Sequence, residues 1–282
     1  MKKLLTFAVC ACLASTLPLS AQIFGSSKKV VASKNYVTKS IHVDEFNALS
    51  VGGSFDVIFT QRPGRPEVII STSDNIIDLI DVRVEQGTLR INFKKNTNVS
   101  YKLLTVQVYG GDMNRFSMAG SGSLIIKGGL KTEQALTLSM AGSGDLEGSN
   151  IQCANLKASM AGSGDISING VNCLSLTASM SGSGDITLKD IKATNVETSI
   201  AGSGDITLSG SADTGKYSIA GSGGITASDL KVKDLSTSIS GSGGIKCFAT
   251  DNLKIRVSGS GRVGYKGNPV LDVPKRNIYQ LK

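Results

Sequence analysis

One phrase of about twenty residues is repeated through the second half of this chain, and it constrains the fold more than any other feature. The six clearest copies lie between Ser139 and Val257, and each contains Gly-Ser-Gly, then Asp or Gly, then an apolar residue. A diverged copy lies on either side. The central serines are Ser121, Ser143, Ser163, Ser183, Ser203, Ser222, Ser242 and Ser260. Their spacing of 18 to 22 residues is typical of a solenoid, whose units bury their apolar faces by stacking.

Apolar residues occupy alternate positions on both sides of each Gly-Ser-Gly core, as in Leu156, Ala158 and Met160. Period two indicates strands with one face inward. Equivalent residues of successive coils would then lie about 4.8 Å apart and form interior columns. One predicted column contains Met118, Met140, Met160, Met180, Ile200, Ile219, Ile239 and Val257. The other contains Leu124, Leu146, Ile166, Ile186, Ile206, Ile225, Ile245 and Val263.

The predicted fold is therefore all-β: a single-stranded parallel β-helix, that is, a right-handed solenoid with coils of about 20 residues. Its two ends need caps, because bare parallel edges would template aggregation. Residues 41–116 contain short β-branched runs between Gly, Pro and Asn, and they predict irregular N-terminal coils and a cap. A short helix or turn under an Asp cap is expected over Asp74–Ile80. Residues 117–264 are the regular repeat, and residues 265–282, which contain two prolines, are the predicted C-terminal cap.

The first 40 residues predict export. Residues 1–21 match a signal peptide, with Lys2 and Lys3, the apolar run Leu4–Leu17 and small residues before Gln22. Alternatively, Val9–Cys12 resembles a lipoprotein box in which Cys12 would be lipidated. Residues 22–40 are a polar leader. No other segment is long and apolar enough to cross a bilayer, so we expect an exported protein at the cell surface, associated with the outer membrane, or in the periplasm.

Three motifs together resemble a known bacterial family. They are the phrase Phe46–Val57, the later Gly87–Ile91 and the Gly-Ser-Gly-Asp-Ile repeats. The combination resembles the auto-transporter adhesin, head GIN domain family over residues 41–265. The resemblance implies an exported protein of a Gram-negative bacterium with a β-helical body. It supplies no catalytic residues, and the chain shows no translocator barrel of the kind the family name suggests.

Charge and composition argue against two functional classes. The formal net charge is +8, but the repeat region 139–258 has 9 basic and 11 acidic residues. Nucleic-acid binding requires a concentrated basic stripe with stacking aromatics, and neither is visible. A polysaccharide-active enzyme would need an irregular acidic cluster in a cleft, whereas the loops here are short and there is no Trp. We therefore expect no nucleic-acid partner and no catalytic residues.

The acidic residues that follow Gly-Ser-Gly are the candidate metal ligands. They are Asp145, Asp165, Asp185 and Asp205. Stacked carboxylates repel by about 1 kcal/mol in water, and Ca²⁺ would relieve that repulsion. The favoured interpretation is structural: each Asp accepts backbone N–H groups at its own turn. Replacement of the Asp by Gly224 and Gly244 argues against a metal array, so no cofactor is expected and Ca²⁺ is the alternative.

The nucleophilic side chains have structural interpretations as well. The serines of the Gly-Ser-Gly cores lack a neighbouring base, since the only histidine is His42, and a turn role is expected. Cys153 and Cys173 occupy equivalent repeat positions, close enough for a disulfide. Side chains that stack in parallel have poor S–S geometry, so we interpret the pair as a small apolar stack, with a bridge as the alternative and Cys247 unpaired.

Three functions are consistent with these observations. The first is an exported binding module, an adhesin that contacts an extracellular glycan, matrix or cell-envelope partner. The second is a structural envelope scaffold that self-associates into oligomers. The third is a β-helical enzyme acting on polysaccharides, which the dispersed carboxylates disfavour.

Overall fold

The computed structural model describes residues 28–273 and 276–282, and these residues form an almost entirely β-stranded solenoid of about 8 turns with coils of about 20 residues. The predicted fold class is confirmed. The signal peptide expected at residues 1–21, with Cys12, lies outside the described residues.

The strands are numbered in chain order. The N-terminal strands are β1 Lys28–Val31, β2 Tyr36–His42, β3 Ala48–Gly53, β4 Asp56–Gln61, β5 Glu67–Ser73, β6 Ile80–Glu85, β7 Thr88–Phe93, β8 Thr97–Ser100 and β9 Leu104–Gly110. The repeat contains β10 Arg115–Gly120, β11 Ser123–Lys127, β12 Leu130–Lys131, β13 Ala135–Gly142, β14 Asp145–Gln152, β15 Asn155–Gly162, β16 Asp165–Gly182, β17 Asp185–Gly202, β18 Asp205–Gly221, β19 Gly224–Gly241, β20 Gly244–Gly259 and β21 Arg262–Lys266. The last strands are β22 Val270–Asp272 and β23 Ile278–Gln280.

Successive repeats pair in parallel and in register. Met118 lies opposite Met140, and Met140 lies opposite Met160. The same register continues through β16 to β20 and reaches Val257. Both predicted interior columns are confirmed and their members are buried, except for Val257, which is half-buried. The period-two pattern of the sequence therefore places one apolar face of every strand inside the solenoid.

The Gly-Ser-Gly corner requires both of its glycines because adjacent coils approach closely there. Gly162 has a φ of 141°, and a Cβ on it would lie 2.1 Å from the carbonyl oxygen of Gly142. A Cβ on Gly164 would lie 2.0 Å from the carbonyl oxygen of Gly144. The Ser163 N–H donates to the Gly142 oxygen at 2.9 Å. At its two glycine positions the corner is thus a hydrogen-bonded stack of backbones with no room for a side chain.

The N-terminal coils do not stack in chain order. Strand β3 lies between β10 and β7, and β4 lies between β11 and β9, all in parallel. The coil formed by β7 and β9 is therefore outermost, although it follows β3 and β4 in sequence. Antiparallel strands cover it: β6 pairs with β7, β5 pairs with β9, and β2 pairs with β5. Strands β2 and β6 replace a bare parallel edge at this end.

Two local features of the N-terminal region refine the expectation. The short helix or turn expected over Asp74–Ile80 is a single 3₁₀ turn, Ile77–Leu79, but Asp74 does not cap it. The Asp74 carboxylate instead accepts hydrogen bonds from the Ser33 hydroxyl and the Asn35 amide, so it ties a preceding loop to the cap. The stretch expected to be a polar leader ends in strands β1 and β2.

The C-terminal segment continues the ladder briefly. Strand β22 pairs in parallel with Asn252–Lys254 of β20, and β23 pairs in parallel with Val263–Tyr265 of β21. Each is 3 residues long. Pairing therefore continues past Gly264 in short strands, and Pro269, which has no N–H to donate, lies just before β22.

Candidate binding surfaces

The four predicted carboxylates form one column. Asp145, Asp165, Asp185 and Asp205 are in register on successive coils. The Asp185 N–H donates to Oδ1 of Asp165 at 3.1 Å, and the Asp205 N–H donates to Oδ1 of Asp185 at 3.3 Å. The Asp165 and Asp185 carboxylates therefore each accept the backbone N–H of the next coil rather than one at their own turn, and this supports a structural role for the column.

The arrangement of potential ligands does not favour a metal. Within residues 28–273 and 276–282, no group of three or more His, Cys, Asp or Glu side chains is placed to hold an ion. The next position of the column is Gly224, where a Cβ would lie 2.7 Å from Oδ1 of Asp205. The column thus ends where the backbone comes close to the last carboxylate.

The candidate nucleophiles are not assembled into a catalytic group. The Gly-Ser-Gly serines are exposed, and their N–H groups donate to the preceding coil, as Ser143 does to the Gly120 oxygen at 3.0 Å. His42 is exposed on β2 opposite Glu67, in the N-terminal cap. The serines therefore act in the turn through their backbone.

All three cysteines of the described residues are free and buried. The Cys153 N–H donates to the Asn172 oxygen at 3.1 Å, which places Cys153 beside Cys173 on the next coil. A hydrogen bond to the Cys173 sulfur, together with burial, raises the pKa of Cys153. Burial raises the pKa of Cys247 to about 12. Buried thiols with raised pKa values, as at Cys153 and Cys247, are unreactive at neutral pH.

A polar groove covers the second corner of three successive coils, and sequence reasoning missed it. Its volume is about 450 Å³ and its lining is Ser149, Asn150, Ile151, Gln152, Asn169, Gly170, Val171, Asn172, Asp190 and Lys192. Gln152, Asn172 and Lys192 form an outward column. The positive φ angles of Asn150 and Asp190, 52° and 50°, form this corner. Non-glycine residues at positive φ are enriched in Asn and Asp. The Asn and Asp residues at this repeat position were therefore the sequence signal that could have predicted the corner.

The polar column continues along the solenoid. Lys192 lies opposite Ser211, which lies opposite Lys231. A further groove of about 530 Å³ surrounds this part and includes Asp213, Lys233 and Asp251. We call the two grooves together the polar corner face. It presents amide, hydroxyl, ammonium and carboxylate groups at the regular spacing of stacked strands.

A third groove is lined by serine, alanine and methionine side chains. It has a volume of about 380 Å³ and lies over the serine and alanine positions that flank the methionines, including Ser139, Ala141, Ser159 and Ala161. The Ser199 hydroxyl donates to the Ser179 hydroxyl at 3.2 Å. Hydroxyls that bond to one another along the stack are partly satisfied by the protein itself.

Comparison with known proteins identifies the family and the fold of the chain that carries these surfaces. The family model "Putative auto-transporter adhesin, head GIN domain" matches residues 45–172 and 171–269. A crystal structure named as a lipid binding protein of Parabacteroides distasonis is 28% identical, with a TM-score of 0.68, over 90% of this chain and 100% of the other. An adhesin structure from Bacteroides fragilis is 25% identical, with a TM-score of 0.68, over 84% and 99%. No curated protein matches the sequence.

In the part of the chain that the structure describes, no helix combines the length and hydropathy that a membrane span requires.

Proposed function

Because this chain belongs to the auto-transporter adhesin, head GIN domain family, we propose that it is an exported binding module, an adhesin that contacts an extracellular glycan, matrix or cell-envelope partner. The observation that carries this proposal is the polar corner face. Its outward column of Gln152, Asn172 and Lys192 repeats hydrogen-bonding groups about every 4.8 Å. A polymer with repeated hydroxyl or carboxylate groups would meet a side-chain N–H donor on each of these three coils.

The geometry favours binding over chemistry. The functional groups are aligned in columns by the solenoid, and a column offers many equal weak contacts. Catalysis instead requires a convergent group with perturbed pKa values in one cleft. Rigid stacked strands also lose little conformational entropy when a ligand binds, which favours affinity from a modest number of contacts.

The polar corner face is tested by glycan arrays and by binding to isolated cell envelopes. We expect a variant with Gln152→Ala, Asn172→Ala and Lys192→Ala to bind at least about tenfold more weakly, since a combined loss of roughly 1.4 kcal/mol changes affinity by that factor. The matched control carries Ser139→Ala, Ser159→Ala and Ser179→Ala on the other groove. Equal loss in both variants would show that this face is not the binding surface.

The cellular location is tested by protease shaving of intact cells. An adhesin predicts release of peptides from the Gly-Ser-Gly repeat without lysis. Protection of these peptides until the outer membrane is opened would remove the proposed external contact and favour a periplasmic scaffold.

A self-associating scaffold is the second candidate, and the C-terminal end favours it. Val270 and Tyr279 are 73% and 45% exposed on the short strands that end the ladder. Such an edge offers free backbone groups and apolar side chains to a second copy. Sedimentation that depends on protein concentration, and that Val270→Lys abolishes, would support this function; a monomer at all concentrations would exclude it.

A further inference from the structure

The N-terminal end of the solenoid carries a cluster of lysines and exposed apolar side chains that the proposed function does not use. We call this cluster the basic tip and define it by Lys29, Val31, Lys34, Tyr36, Lys94, Lys95, Lys102 and Leu103. From its charge, exposure and position, we infer that the basic tip docks on an anionic membrane surface and orients the solenoid away from the bilayer. This inference does not depend on what the polar corner face binds.

Two distant segments of the chain form the tip. Strand β1 pairs in parallel with β8, so that Lys29 lies opposite Asn98 and Val31 lies opposite Ser100. Side chains of a strand alternate between its faces, and Lys29, Val31, Asn98, Ser100 and then Lys102 are all exposed. They therefore share the outward face of this small sheet.

The two segments that form the tip are basic, and the carboxylates beside them include Asp74, which binds Ser33 and Asn35, and Asp78, which pairs with Lys39. Segments 29–40 and 94–103 contain six lysines and no acidic residue. One of the six, Lys39, pairs with Asp78 at 2.8 Å. In the part of the chain that the structure describes, Lys29, Lys34, Lys95 and Lys102 are in no salt bridge. Their ammonium groups are available to a negatively charged partner.

Apolar side chains project beside these lysines. Val31 is 66% exposed and Leu103 is 45% exposed, and Tyr36 is 49% exposed at the start of β2. The Thr72 hydroxyl donates to the Leu103 oxygen, which fixes Leu103 against the cap, and the Asn75 amide donates to the Val31 oxygen. Lysines interspersed with exposed aliphatic and aromatic side chains are the composition of interfacial membrane-binding surfaces.

The chain outside the described residues joins the fold at this tip. Residue Lys28 begins β1, and the segment before it contains the apolar run Leu4–Leu17. Any part of that segment retained at a membrane would hold the tip next to the bilayer. A lipid surface therefore fits this location better than a soluble acidic polymer, which would contact the lysines and leave Val31 and Leu103 in water.

Vesicle co-sedimentation of the full chain tests the proposal. The probes are phosphatidylcholine vesicles with and without phosphatidylglycerol, at low and high salt. Each lysine near an anionic surface changes affinity about fivefold. The variant Lys29→Ser, Lys34→Ser, Lys95→Ser and Lys102→Ser should therefore bind anionic vesicles roughly a hundredfold more weakly or worse. The matched control is Lys127→Ser, Lys157→Ser, Lys189→Ser and Lys246→Ser, which removes the same charge from the repeat.

A second pair of variants tests the apolar contribution. Val31→Ser with Leu103→Ser should weaken vesicle binding roughly tenfold, while Leu174→Ser, at a repeat residue that is 64% exposed, should not. Equal effects of the tip and control lysines would overturn the proposal. A second result would also overturn it: the Val31 and Leu103 variant binds vesicles as tightly as the parent protein does, and the protein binds soluble dextran sulfate as tightly as it binds vesicles. That result would identify an acidic polymer as the partner.

Discussion

Single glycines determine whether adjacent coils can approach. At Gly162, alanine would combine a φ of 141° with a Cβ 2.1 Å from the Gly142 oxygen. We expect Gly162→Ala to lower the free energy of unfolding by roughly 3 kcal/mol or more, because backbone strain and displacement of a coil add together. The measurement is the midpoint of urea unfolding, compared between variants whose dependence of unfolding free energy on urea concentration is the same.

Gly244 provides the control for that prediction. Its φ is not in the left-handed region, and a Cβ there would meet nothing within 4 Å. Gly244→Ala should therefore change the midpoint little or raise it slightly. Equal destabilisation by both substitutions would contradict the close-approach explanation.

Another residue, Tyr217, carries a buried polar group without a partner. Its side chain is 0% exposed and its hydroxyl makes no hydrogen bond in the described residues; burial, with a contribution from Cys247, raises its pKa. Tyr217→Phe should raise the free energy of unfolding by about 1 kcal/mol, because an unpaired buried hydroxyl is destabilising.

Tyr109→Phe provides the opposite case. The Tyr109 hydroxyl donates to Oε1 of Gln107 at 2.9 Å, and Arg62 lies 3.7 Å above its ring. Removing that hydroxyl should lower stability by about 1 kcal/mol. The measurement is the free energy of unfolding of both variants and the parent protein by urea denaturation. A loss of stability in Tyr217→Phe would show that the Tyr217 hydroxyl is hydrogen-bonded.

At the scale of the strand ladder, the carboxylate column is expected to tolerate neutral side chains. Asp185 accepts the N–H of Asp205, and asparagine can keep that bond through its carbonyl oxygen while removing repulsion of about 1 kcal/mol from each neighbouring carboxylate. Asp185→Asn should therefore leave the melting temperature unchanged or raise it. Addition of Ca²⁺ should not alter the melting temperature of the parent protein; a rise that Asp185→Asn abolishes would establish a calcium site.

The sequence predicted the inward columns of this ladder better than its outward faces. Apolar alternation identifies Met160 and Ile166 as interior residues because burial favours them in every coil. Gln152 and Lys192 have no such signal, since polar residues on an exposed face are only weakly constrained. Their alignment into one column became visible only when the register joined their coils.

For the whole molecule, the repeat predicts tolerance to loss of one coil. Deleting residues 165–184 joins Gly164 to Asp185 and places Asp185 opposite Asp145, so every column continues. We expect a folded, less stable protein, because solenoid stability is a sum over neighbouring coils. Deleting only 165–174 should abolish cooperative unfolding, since the next Gly-Ser-Gly corner would arrive half a coil early and could not stack on the corner before it. Circular dichroism during thermal unfolding distinguishes the two outcomes.

The sequence by itself determined the solenoid, the interior columns and the glycine corner. A fixed period makes the next coil the best partner of each coil, so pairing is local and is visible as repetition. Only the tertiary structure decided that β7 and β9 lie outside β3 and β4, and that β1 lies beside β8. Residues 28–114 lack a period, so their strands pair by long-range complementarity of backbone and side chains, and no local pattern specifies the partner.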